Sequence, residues 1–411
     1  MATIMRGGQV MTDALRDRDR LVTDAVKSLE PAARAQWREL VTLESPSSDT
    51  GGLIRVLSWV EGALIELGAT VERVAVPSAG GRTSSAGGAA RGAGIAVARC
   101  GADDARRLLV CTHLDTVHSS WRGPTWSEQG GQVVGPGVAD MKGGVLVVLL
   151  ALRALRQVGV EDLSWTVVAT TDEETGSWDS RDELARLARG HVAAFIPEPA
   201  MADGSIVAQR PGSARVVIEA TGRAAHAGRD AAQGISAVTA LCEALVAAAK
   251  LADPPRRIVN MSILRGGEAT NIIPDRAGAT GNIRWQSEAD GQALMDGVRS
   301  LSRGSADELP HVTVEIEVNR PVKERTEAVE ALVRTMQHAA SALGLRIGAG
   351  FTGGVSDGNI IQAAGVPTLD GMGVRGGNLH RSDEFAELDS LGERAALLAL
   401  TMLRVRDSIR S

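Results

Sequence analysis

Between residues 108 and 198 the hydrophobic pattern switches repeatedly between strand-like and helix-like periods. "LLVCTHLD" is followed by the helix-length "VLVVLLALRALRQVG", then "WTVVATTDEE", the polar helix "SRDELARLARG" and "HVAAFIPEP". Short apolar strands that alternate with helices of this length predict an α/β unit with a mainly parallel sheet and helices on both faces. In such sheets functional groups gather beyond the carboxyl ends of the strands. Each of these strands ends in His, Asp or Glu, so the ends need a chemical explanation.

After Pro211 the order changes. "RVVIEATG", "ISAVTALCEALVAAAKL", "RIVNMSILRGG", "AGATGNIRWQ", "ADGQALMDGVRSLSRG" and "HVTVEIEVN" read as strand, helix, strand, strand, helix, strand. This is the split βαβ order of a ferredoxin-like α+β sandwich. A long helix and a buried strand, "GVPTLDGMGV", then return to the first texture. The expected organisation is therefore a first segment at residues 1–211, an inserted unit at 212–320 and a second segment of the larger unit at 321–411. The Gly- and Ser-rich residues 77–94 are expected to form a flexible surface loop. Residues 1–10 are expected to be an unstructured leader, with Met11 as an alternative start.

Composition narrows the partners. The net charge is -6 and the basic residues are scattered, which excludes nucleic acid and an anionic membrane as natural partners and favours a small solute. Hydrophobic residues make up 44% of the chain, yet its longest apolar run is interrupted at Arg153, so no membrane span is expected. Cys100, Cys111 and Cys242 are too few for a disulfide framework or a thiolate zinc site. With no apolar signal segment, a cytoplasmic protein is expected.

His113 and Asp115 stand two residues apart at the end of a strand, so both side chains project to the same side. That arrangement suits a metal ligand and the carboxylate that orients it. Asp140 follows a glycine-rich turn, Glu173 and Glu174 follow a strand, Glu198 lies between two prolines and His380 lies in a loop. Adjacent glutamates repel unless a cation absorbs one charge while the other handles a proton. His113, Asp140, Glu174, Glu198 and His380 form a nitrogen and oxygen set suited to two Zn²⁺ ions, with Co²⁺ or Mn²⁺ as alternatives. In a pair ~3.5 to 4 Å apart a carboxylate usually bridges, and Asp140 is central in the order.

The chain resembles the M20 metallopeptidase family, closest to its glutamate carboxypeptidase branch. The resemblance rests on "THLDTV", "GPGVADMKGG", "TTDEETGS", "PEP", "TGRAAHAG", "GEATNIIPD", "GGVSDGN" and "HRSDEF", in the family's order from about residue 40 to the end. It implies His113 and Glu198 on one metal, Glu174 and His380 on the other, Asp140 bridging, a metal-bridging water, Glu173 as general base and Asp115 orienting His113. It further implies a homodimer in which His226 reaches the partner's site to stabilise the oxyanion. Asn271, Arg284 and Arg320 match substrate-binding positions. The stretch "AMADGSIVAQRPGS" does not clearly contain the lysine of the glutamate-specific enzymes; either Arg210 substitutes or the preference differs.

The expected activity is hydrolysis of an amide next to a free carboxylate in a small peptide or N-acyl amino acid. A carboxypeptidase removing C-terminal glutamate is the leading reading. An aminoacylase or deacetylase is the alternative within the same chemistry; a non-catalytic binding or scaffolding protein on a hydrolase fold is a third reading, disfavoured because every expected ligand and the base are present.

Overall fold

The computed structural model of the protein describes residues 2–76, 93–102, 106–305 and 307–410. Most of the expected surface loop, residues 77–92, lies outside the described residues. The chain forms two compact units: Met1–Gln209 with Arg325–Phe351 and Ser356–Ser411, and Arg210–Glu324 with Thr352–Val355.

In the larger unit a six-stranded sheet has the order Thr70–Val74, Ile95–Cys100, Trp165–Thr170, Leu108–His113, Ala193–Phe195, Thr368–Leu369. The last four strands run parallel, and the first two are added antiparallel at one edge. Leu108–His113 is buried along its whole length, as a central parallel strand must be. Its alternate residues serve different cores. Leu108 and Val110 join the core built with the helices Thr50–Glu66, Gly144–Gln157, Glu327–Ala342 and Ser390–Arg410. Leu109 and Cys111 join the core built with Arg181–Ala188 and Asp357–Ala363.

The helix Gly144–Gln157 is apolar around most of its circumference, and it packs against both the first and the last helix of the chain. The first helix runs Ala2–Thr42 and takes in the stretch expected to be an unstructured leader. Its residues are mostly good helix formers, and no proline interrupts them before Pro31. Among the described residues, no helix is long and apolar enough to cross a membrane.

The smaller unit has a sheet in the order Arg257–Gly266, Arg276–Trp285, Gly212–Thr221, Glu308–Arg320, Arg303–Ser305, all antiparallel. The helices Ala237–Ala249 and Glu288–Arg299 share one core with this sheet, built on Ala214, Val216, Ile218, Ala279 and Ile283. Ser236 and Ser287 start the two helices by accepting the Thr239 and Asp290 amides. The strand Arg303–Ser305 departs from the expected pattern, in which the helix ran on through this sequence. Gly304 has φ +72°, and a Cβ there would lie 2.5 Å from the Glu308 carbonyl oxygen, so a hairpin return forms where only glycine fits.

Candidate metal centre

Five separate segments of the larger unit deliver the site. His113 ends its strand and is buried. Asp140 lies in the irregular turn Val138–Gly143, where its φ of -108° and ψ of 94° are not helical. The helix that follows has Gly143 as its N-cap and no side-chain cap, so Asp140 does not cap it. Glu173 and Glu174 open the short turn Glu173–Thr175 after the strand Trp165–Thr170. Glu198 is buried just beyond the strand Ala193–Phe195. His380 is exposed and has φ +64°, a left-handed conformation that a non-glycine residue adopts under local constraint.

These side chains converge. His113 Nε2 lies 3.1 Å from Asp140 Oδ1 and 3.6 Å from Glu198 Oε1. His380 Nε2 lies 3.4 Å from Asp140 Oδ2 and 3.3 Å from Glu174 Oε2. Asp140 thus presents one oxygen toward each histidine. His113, Asp140 and Glu174 each offer a ligand atom within 4.8 Å of the others. Carboxylates this close together need a shared cation or bound protons, and a nitrogen and oxygen set of this kind fits Zn²⁺ or a similar divalent ion.

The electrostatics describe a site that holds protons where a cation would sit. Hydrogen bonds with Asp140 and Glu174 push the His380 imidazole up to about 11. Burial raises the Glu174 carboxyl, and the neighbouring Asp140 charge adds to the effect. Burial would also raise Asp140, but its contacts with the two histidines outweigh that and hold it well below the usual carboxylate range.

Asp115 has a wider role than orienting an imidazole. His113 Nδ1 lies 3.0 Å from the Asp115 main-chain carbonyl oxygen and 3.5 Å from its carboxylate. The carboxylate itself accepts the backbone amides of Glu173 and Glu174, both at 3.1 Å, and the Ser47 hydroxyl at 2.8 Å. It therefore sets the turn that carries the glutamate pair. Two further groups escaped the sequence reading: Glu384, within "HRSDEF", and His118, the residue directly after "THLDTV". Glu384, four residues after His380, accepts the amides of Ala139 and Asp140, and His118 hydrogen-bonds to it.

The remaining residues lie in the smaller unit. His226 is exposed in Ala225–His226, which pairs with Ile272–Ile273. Its Nδ1 accepts the amides of Gly228 and Arg229, so a neutral ring carries its proton on the outward Nε2. The Asn271 carbonyl accepts the Ala227 amide, which brings Asn271 beside the His226 loop. Arg284 donates to Asn282 Oδ1 and to the Gly353 carbonyl oxygen. Arg284 and Arg320 are each the cross-strand neighbour of Ser213, and Arg320 is fully buried.

A largely parallel sheet that carries two imidazoles and three carboxylates at its strand ends and loops defines a metal-dependent peptidase or amidohydrolase. The chain belongs to peptidase family M20/M25/M40, which it matches over residues 109–404. It is 28% identical to carboxypeptidase G2 of Pseudomonas sp. (strain RS-16) over 94% of this chain and 92% of that one. It is 29% identical to a succinyl-diaminopimelate desuccinylase of Gluconacetobacter diazotrophicus over 92% and 97% of the two chains. The fold matches that of the YXEP protein of Bacillus subtilis, described as a dinuclear metal binding peptidase, with a TM-score of 0.68, 16% identity and coverage of 93% and 99%.

Proposed function

We propose that the protein is a dinuclear zinc-dependent hydrolase that cleaves an amide next to a free carboxylate, most simply as a glutamate carboxypeptidase. The observation that carries this reading is the Asp140 carboxylate, with one oxygen toward His113 and the other toward His380. In this reading His113 and Glu198 hold one ion, Glu174 and His380 the other, and Asp140 both; Co²⁺ or Mn²⁺ would suit the same donors. When bound, the pair supplies Lewis acidity that polarises the scissile carbonyl and makes water easier to deprotonate. Glu173 takes the proton of the attacking water and returns it to the leaving amine. Asp115 holds the turn from which Glu173 acts, and the Nε2 proton of His226 is the donor for the oxyanion.

A free carboxylate on the substrate is best met by a guanidinium fork. Arg284 donates to Gly353, and Arg210 Nη1 lies 3.6 Å from where a Cβ on Gly354 would stand, so two arginines border one glycine turn. Arg284 and Asn271 are proposed to contact the substrate, with Arg320 adding positive charge beside Ser213. An N-acyl amino acid hydrolase is the second reading, favoured by the missing lysine after Glu198 and by the desuccinylase relative. The test is amino acid release from a panel of peptidyl and N-acyl substrates with Zn²⁺ or Co²⁺, repeated after chelation. Activity that survives complete metal removal would overturn the metal reading, and the preferred substrate separates the two hydrolases.

We also read the smaller unit as a dimerisation unit. Its edge strand Arg257–Gly266 exposes Ile258, Ile263 and Leu264, and an open apolar edge is commonly covered by a symmetric partner.

Metal uptake is expected to release protons. The raised His380 is an imidazolium at pH 7 in the metal-free protein, and it must lose its proton to bind a metal. Affinity should therefore rise as pH rises and fall as pH falls. Calorimetric Zn²⁺ titrations at pH 7 in buffers of different ionisation enthalpy measure the release directly; a zero net proton count would contradict the assignment of His380.

A further inference from the structure

Glu384 is almost fully buried, yet its carboxylate is saturated with donors from elsewhere in the chain. Oε1 accepts the amides of Ala139 at 2.9 Å and Asp140 at 3.0 Å. Oε2 accepts the Gly137 amide at 3.2 Å and lies 2.8 Å from His118 Nε2. The four acceptor sites of an ionised carboxylate are thus all used, three of them by backbone amides of the turn that carries Asp140.

Other bonds hold this turn as well, since Trp37 Nε1 donates to the Val138 carbonyl and Lys142 Nζ to the Leu43 carbonyl, but the amides of Gly137, Ala139 and Asp140 all meet at Glu384. The turn's residues at 140 and 141 leave helical geometry, and Gly137 takes φ +66°. Amides of such a turn that point inward form a concave anion site, and here the anion is a side chain of the same protein. Glu384 also stands four residues after His380, and its main-chain carbonyl accepts the Gly135 amide. One residue therefore ties the Asp140 turn to the loop of His380. His118 is itself braced by Trp121, whose ring meets it edge-on at 4.9 Å.

We propose that Glu384, with His118 as its side-chain donor, is a positioning residue for the metal pair. It fixes the direction in which Asp140 aims its two oxygens and makes the segments of Asp140 and His380 move as one. The inference rests on the metal-site reading above. Glutamine at 384 keeps the shape but turns an NH₂ group toward two donors, whichever way the amide is flipped.

The experiment titrates metal-free full-length protein with zinc chloride against a chromophoric chelator and records the melting temperature of each metal-free variant. Glu384→Gln should weaken Zn²⁺ binding by ~10- to 100-fold, the range for groups that orient ligands from outside the coordination sphere. His118→Leu should weaken binding in the same direction, and His118→Gln, which retains an N–H donor, should recover much of it. A lower melting temperature with unchanged affinity would mean a merely structural role and would overturn the proposal. If Glu384→Gln fails to fold, the His118 pair decides: weakening by leucine but not by glutamine supports the proposal, and equal behaviour of the two overturns it. Wild-type protein that takes up no Zn²⁺ would end the metal reading itself, whereas normal wild-type binding with unaffected variants ends only this one.

Discussion

Glu173→Gln is expected to retain both metals and to lose roughly 10²- to 10⁴-fold in turnover, the usual contribution of a general base. The expectation comes from how the chain separates two neighbouring carboxylates. Both amides of the pair are held by Asp115, which fixes the backbone of the turn. From that backbone the Glu174 carboxylate reaches within 3.3 Å of His380 Nε2, among the residues proposed to bind metal. Glu173 is the one proposed to take the proton, and an amide in its place could not accept it. Atomic absorption on the purified variant, together with kcat, tests the assignment. Glu174→Gln should instead lose metal, and the reverse pattern would exchange the two roles.

His226→Ala should lower turnover by ~10²- to 10³-fold with metal content unchanged, as expected for an oxyanion donor. Two backbone amides occupy Nδ1, so a neutral ring carries its proton on Nε2, the atom proposed to donate. If the histidine serves the neighbouring subunit, mixing His226→Ala with Glu173→Gln creates hybrid dimers with one site that has both an intact base and an intact donor. Activity should return on mixing. A mixture that stays inactive after demonstrated subunit exchange, or a strictly monomeric active enzyme, rules out sharing in trans.

Much of the centre was legible because strands and loops publish their ends. His113, Asp140, Glu174, Glu198 and His380 each stand at the end of an apolar strand or in a turn or loop, where a polar residue is conspicuous, and their side chains converge; their roles as metal ligands are the proposal made above. What was hidden depends on contacts between distant segments. The carboxylate of Asp115 turns out to hold amides 58 and 59 residues away, which no local spacing reveals. Nothing in "HRSDEF" itself marks Glu384, whose partners are backbone amides 244 to 247 residues earlier. In the fold, the strands Leu108–His113 and Trp165–Thr170 were readable because they are buried throughout. The edge strand Thr70–Val74 was not, because most of it faces solvent and its pattern carries no hydrophobic alternation.

The division of Leu108–His113 between two cores also governs which genetic changes this strand can absorb. Leu108 and Val110 answer to one side of the sheet, Leu109 and Cys111 to the other, and the imidazole of His113 inherits its direction from that parity. Exchanging one aliphatic residue for another of similar volume leaves the parity intact and costs little. Inserting or deleting a single codon reverses it, sending each apolar side chain to the wrong core and His113 to the wrong face. Over these six residues the lineage is free to drift in spelling but not in length.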